Sequence, residues 1–290
     1  MTWLSILLIG LGVGDLVRSS SWPRARLVAH VTTPVVVAVV AVLSDVDAWP
    51  DVVALVLALG VAAAWMELSR RTQRTGHGAL AALGTFAVLV AGLIGFSGAA
   101  STPGGPLASW LAWADLPGPA TPSAARLLVL TGLVAFNIAT ANVIVRLVLL
   151  AIGALRPDMV AAAASTSRSS VPPGAPGQTD QPGQPGPSVQ PGRPGPSVQP
   201  ADRLKGGRLL GPMERLVILG LGLAGEFGAA GIVIAAKGLL RFPEIQAAAR
   251  NNASGGYPGG PAGIDDVTEY FLVGSFVSWL IALSTLALAA

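Results

Sequence analysis

The chain contains no cysteine, which excludes disulfides, thiolate metal sites and a thiol nucleophile. Histidine is nearly absent. His30 and His77 stand alone and far apart, so no histidine cluster exists to hold zinc. Charge is the third scarcity: 11% of the 290 residues are Asp, Glu, Lys or Arg, against about 25% in soluble domains. Too few charges remain to solvate a globule of this size. A mean hydropathy of +0.64 points the same way, to an integral membrane protein.

What is present is apolar sequence in long runs. A helix needs about 20 apolar residues to cross a hydrocarbon core of about 30 Å. Seven segments approach this: 3–17, 27–43, 51–68, 79–97, 124–155, 212–240 and 267–289. The first is the shortest. It lacks a basic leader and a small-residue cleavage site, so a retained helix is expected rather than a signal peptide. The Val-rich second segment would suit a buried strand in water. In lipid a lone strand leaves its backbone unsatisfied, so helix is expected there too. The fold class is therefore all-α, a polytopic membrane bundle of about seven transmembrane helices, or six if the first does not span.

Basic residues alternate between the loops. Arg18, Arg24 and Arg26, then Arg70, Arg71 and Arg74, then six more from Arg156 to Arg208 fall on one side if seven helices alternate. The opposite loops hold Asp45, Asp47 and Asp115, with Arg241 and Arg250 in the last. The positive-inside rule then places the N-terminus outside and the C-terminus in the cytoplasm. Arginine-heavy, Ala/Gly/Pro-rich composition suggests a bacterial source and its inner membrane. The net charge of +3 is explained by orientation, and no nucleic-acid partner is implied.

Residues 156–208 separate an N-terminal membrane subdomain (1–155) from a C-terminal two-helix one (209–290). Within them, residues 182–190 are repeated at 191–199 with one change, Gln184 for Arg193. Glycine does not recur at every third position, so collagen is excluded. With no apolar face to bury, a disordered cytoplasmic linker is expected. A Pro-rich docking site for a protein partner is the sharper alternative.

Gly220, Gly222 and Gly225 satisfy the GxGxxG spacing of dinucleotide sites, but inside an apolar run rather than after a strand. Close helix packing at Gly222, Gly225, Ala229 and Gly231 is expected instead, as at Gly10 and Gly14. Intramembrane polar groups are the candidate site, because charge in lipid is costly unless paired or wet. They are Arg146 and Glu226, expected to pair across the fifth and sixth helices, with Asn137 and Asn142 beside them. Asp15, His30 and Glu67 lie nearer helix ends. Lys237 and Arg241 are expected to bridge to Glu269 and fasten the last two helices.

Three ordered motifs lie in the C-terminal half: Glu214-Arg215, Lys237 with Arg241-Phe242, and Glu269-Tyr270 with Gly274. From Leu209 onward the chain resembles a family of uncharacterised bacterial integral membrane proteins, a domain of unknown function. The resemblance implies a multi-helix inner-membrane protein and no activity. In the N-terminal half Asp15 matches the family's helix-one Asp, while Leu11 and Ser19 stand where that family often has His and Gln.

Three functions are consistent with these residues. A small transporter or channel-like protein would use Arg146 and Glu226 as a polar route, although no inverted repeat is visible. A structural or interaction protein would recruit a partner through the linker. A membrane enzyme fits least, since no nucleophile–base pair, metal cluster or phosphate loop is present. No cofactor is implied, the lipid bilayer is the expected partner, and the oligomeric state is unspecified.

Overall fold

A computed structural model of the chain describes residues 1–20, 25–114, 122–154, 207–239 and 264–289; within its helices the side chains of 26–27, 207–209 and 264–271 are not described. Every regular element among them is helical, as apolar runs require where no water serves the backbone. The helices are α1 (Thr2–Arg18), α2 (Ala25–Leu43), α3 (Trp49–Thr75), α4 (Ala79–Gly95) and the short α5 (Gly105–Ala114). Next come α6 (Ala124–Ala151), α7 (Gly207–Leu223), α8 (Phe227–Leu239) and α9 (Ile264–Ala289). Three stretches are long and apolar enough to cross a membrane: Trp49–Thr75, Ala124–Ala151 and Leu272–Ala289. Shorter apolar helices accompany them, at Val28–Leu43, Ala79–Gly95 and Phe227–Leu239. The chain is thus an all-helical, membrane-embedded protein; the expected linker and its repeat lie outside the described residues, apart from Gly207 and Arg208, whose backbone opens α7.

The first segment, shortest in the sequence, is the centre of the bundle. Ile6, Leu7 and Leu11 are fully buried, and α1 packs on α2, α3 and α6. Its small residues permit this. A Cβ at Gly10 would lie 2.5 Å from Val37 Cγ2, and one at Gly12 would lie 2.7 Å from the backbone of Ala135. Gly14 abuts the Thr33 hydroxyl. Hydrophobic association is weak between helices in lipid, so such close approach carries the packing. By contrast α2 turns Val31, Val35, Val39 and Val42 outward, all more than half exposed, which is a lipid-facing stripe.

Contacts fix the direction of each helix. Trp3 Nε1 donates to Asp51 Oδ1 at 2.6 Å, so α1 and α3 start at the same end. Ser5 lies by Gly132 and Gly12 by Ala135, so α6 runs parallel to α1. One end of the bundle carries Asp45, Asp47 and Asp51. Trp49, Trp110 and Trp113 are exposed near it, as interfacial tryptophans are. The other end carries Arg18, Arg70, Arg71 and Arg74, as charge alternation predicts.

The sixth segment departs from expectation. It is two helices rather than one. Gly225 (φ +81) closes α7 with its own N–H on Gly222 O and the Glu226 N–H on Leu221 O, the two bonds of a Schellman cap. The chain then folds back, for Lys237 bonds Glu214 although a straight helix would hold them about 35 Å apart at 1.5 Å per residue. In α9, Ser278 and Trp279 meet Arg215 and Glu214, and Leu286 meets Gly222. Hence α7 and α9 run parallel. The chain therefore enters α7 at the basic end and finishes α9 at the acidic end, where a shared side for linker and C-terminus was expected.

Candidate functional site

Asparagine and threonine near the middle of a helix offer hydrogen bonds that compete with its backbone. In α6 the α-helical pattern gives way at Phe136–Thr140 to one π-turn. There the Ala141 N–H bonds Phe136 O, leaving Asn137 O without the partner it has in an α-helix. Arg215 takes that oxygen, donating from Nε at 3.1 Å and Nη2 at 2.8 Å. Its Nη2 also donates to Asn142 Oδ1 at 2.5 Å and its Nη1 to Ser278 Oγ at 3.0 Å. Asn137 Nδ2 reaches Thr285 Oγ1 at 3.0 Å. A guanidinium 1% exposed thus ties α6, α7 and α9 together through neutral oxygens.

Its sequence neighbour Glu214 points elsewhere. One oxygen accepts from Lys237 of α8, the other from Trp279 Nε1 of α9 at 2.8 Å. Lys237 Nζ also sits 5.9 Å from the centre of the Trp279 ring, within cation–π range. Lys237 therefore fastens α8 to α7; the expected bridge to Glu269 lies outside the described residues, as do Arg241 and the side chains of Glu269 and Tyr270. Gly274 faces Leu149, 3.6 Å from where its Cβ would stand.

On the opposite face of the π-turn lies Asp15, 3% exposed. Arg18 Nη2 is 2.7 Å from Oδ1, an ion pair along α1, and neither carboxylate oxygen has an assigned hydrogen bond among the described residues. The Thr140 hydroxyl neighbours the same carboxylate without reaching hydrogen-bond geometry, and it too is unpartnered.

The expected Arg146–Glu226 pair does not form. Both residues are exposed. Because α7 runs antiparallel to α6, its end at Gly222 and Leu223 lines one cleft with Arg126. Glu226 follows there, about 20 residues or 30 Å from the level of Arg146. It stands before α8, where Ala230 N bonds its carbonyl and its negative charge suits a helix N-terminus. Asn137 and Asn142, by contrast, do belong to a polar centre, with Arg215 as their cation. His30 is exposed on α2. Glu67 binds Arg70 and Arg71 on its own helix at 2.5–2.8 Å. Of the glycines expected to pack closely, Gly222 does so against Leu286, Gly225 makes the turn, and Gly231 faces open space.

Several participants had no signal of their own in the sequence: Ser278, Trp279, Thr285 and Thr140. Small polar residues in an apolar run are common, and only a neighbouring helix gives them meaning. Two shallow clefts, of 250 and 370 Å³, lie around Arg126 rather than at the polar centre. Comparison with known proteins finds no match: no family model, no curated protein and no solved structure resembles the chain.

Proposed function

We propose that this chain is a small ion-handling membrane protein, transporter- or channel-like, whose working region is the polar layer around the π-turn of α6. The observation that carries it is the position of that turn. Helix distortion and buried polar groups coincide there, with Arg215 on one face and Asp15 on the other. Irregular backbone within the membrane is tolerated where it serves polar groups and ions, and π-turns gather at functional sites.

In this proposal the basic end faces the cytoplasm of a bacterial cell and the inner membrane is the compartment. The N-terminus is outside, and so is the C-terminal end of α9. A likeness of the C-terminal half to uncharacterised bacterial membrane proteins belongs to the same proposal; residues of its first two motifs, Glu214 and Lys237, bond each other. Purified protein in liposomes should pass protons, sodium, potassium or chloride faster than protein-free vesicles, and Asn137→Leu should remove that flux while the protein still inserts. Wild-type flux at the protein-free level would leave a structural or interaction role in its place.

A further inference from the structure

Asp15 lies on the central helix, and its charged contact is Arg18, one turn on along the same helix. Its neighbours set it apart from every other carboxylate described. Asp51 is bonded by Trp3 and by the Ser101 N–H and hydroxyl. Glu67 has two arginines, and Glu214 has Lys237 and Trp279. Asp15 alone among these is buried with both oxygens unmet.

It also has company. Trp65 Nε1 and Ser69 Oγ on α3 and Thr140 Oγ1 on α6 are buried without partners among the described residues. Trp3 beside Asp51 sets the register of α1 against α3. From that contact Asp15 lies about 18 Å along the axis, Trp65 about 21 Å, and Ser69 one turn further. Trp65 stacks on Phe86 (5.1 Å), and Phe86 on Phe136 of the π-turn (6.0 Å). Buried polar atoms have partners as a rule. Here several without one lie within about 9 Å of each other along the axis, in the half of the bundle toward the basic end where α1, α3 and α6 pack.

Charged groups near this layer are few. Arg18 is on the same helix as Asp15. From α3 come Glu67, Arg70 and Arg71, already joined to each other. α2 brings Thr33 and the exposed His30. α4 has no ionisable residue; α6 brings Thr140 and, about 9 Å further along its axis, the exposed Arg146. A metal ion would need six or more oxygens and would have to displace Arg18. A proton needs one oxygen.

We propose that Asp15 is a proton-binding site, exchanging a proton between the polar layer and the basic end, with Arg18 as the counter-ion of its ionised form. Asp15 takes a proton from water at Oδ and becomes a neutral acid; its pairing with Arg18 ends, and the guanidinium, one-fifth exposed, turns to solvent. Release of the proton restores the pair. Thr140 is a positioning residue, its hydroxyl oriented by whichever form is present. This rests on the ion-handling function proposed above and names its ion.

The test uses the full chain in liposomes. Infrared difference spectra on acidification should show a carboxylic-acid C=O band that vanishes in Asp15→Asn and persists, displaced, in Asp15→Glu. Without any substitution, dicyclohexylcarbodiimide, which adds to protonated carboxyls in apolar surroundings, should label the Asp15 peptide, and faster at low pH. Proton flux driven by a potassium potential should fall to the protein-free level in Asp15→Asn. Wild-type flux that Asp15→Asn leaves unchanged overturns the proposal but leaves ion handling intact. A titrating Asp15 band without wild-type flux keeps the proton site and removes ion conduction. Absence of both the band and the adduct overturns the site outright.

Discussion

Alanine at Gly12 would put a Cβ 2.7 Å from the carbonyl carbon, the oxygen and the Cβ of Ala135. Carbon atoms in contact prefer about 3.5–4 Å, so α1 and α6 must part by about 1 Å. The obstacle is largely backbone and has no rotamer to escape into. Forced separation in a packed core costs about 1–3 kcal/mol. Against it stands the gain from removing a helical glycine, about 1 kcal/mol. Gly60 on α3 supplies the control, because nothing lies within 4 Å of an added Cβ there. Gly60→Ala collects the propensity gain alone. The difference between the two variants therefore isolates the crowding, about 1–3 kcal/mol, or about 2–12 °C in Tm at roughly 2–4 °C per kcal/mol. Thermal unfolding in one detergent, followed by circular dichroism, measures it. Should Gly12→Ala melt at or above Gly60→Ala, the claim that α1 is wedged against α6 is wrong.

Two further outcomes bear on the C-terminal half. A double-mutant cycle of Glu214→Gln and Lys237→Met should give a coupling of about 0.5–3 kcal/mol, read from unfolding midpoints; zero coupling would mean that the pair does not hold α8 to α7. Since the chain has no native cysteine, single cysteines report topology without background. Ala224→Cys and Ala287→Cys should react with an impermeant maleimide from the same side as Ala48→Cys, and Ser20→Cys from the other. Labelling of Ala287→Cys from the Ser20 side would refute the fold-back at Gly225.

Fold class was legible because it rests on composition: scarce charge and long apolar runs leave helices in a membrane. The arginines described at the ends of α1 and α3 share one end of the bundle, because loop charges are read one loop at a time. The sixth segment failed for a physical reason. Apolar sequence continues on both sides of Gly225-Glu226, and a single glycine in an apolar helix is unremarkable. What marks Gly225 as a turn is the pair on either side, Glu214 and Lys237, eleven and twelve residues away. Their charges demand each other only once the chain is bent. The same blindness misplaced the polar centre. Arg146 and Glu226 were chosen by depth along straight helices, and the bend moved Glu226 to the far end. Arg215 carries no such sign, because it stands three residues after Pro212, near the start of the sixth segment.

Lipid-facing and core-facing residues are equally apolar in such a protein, so a hydrophobic pattern cannot say which helix is central. Size and polarity can. α2 exposes branched valines that fit no neighbour closely, whereas α1 carries Gly10, Gly12, Gly14, Ser5 and Asp15, every one of them buried. In water the inside of a protein is found by its large apolar residues. In a bilayer, where lipid replaces that driving force, it is found by the small and polar ones. By that measure the shortest segment was the best candidate for the centre. The charge it carries, Asp15, is buried because the helix is central, which is why a carboxylate with unmet oxygens lies there rather than on a longer, more hydrophobic span.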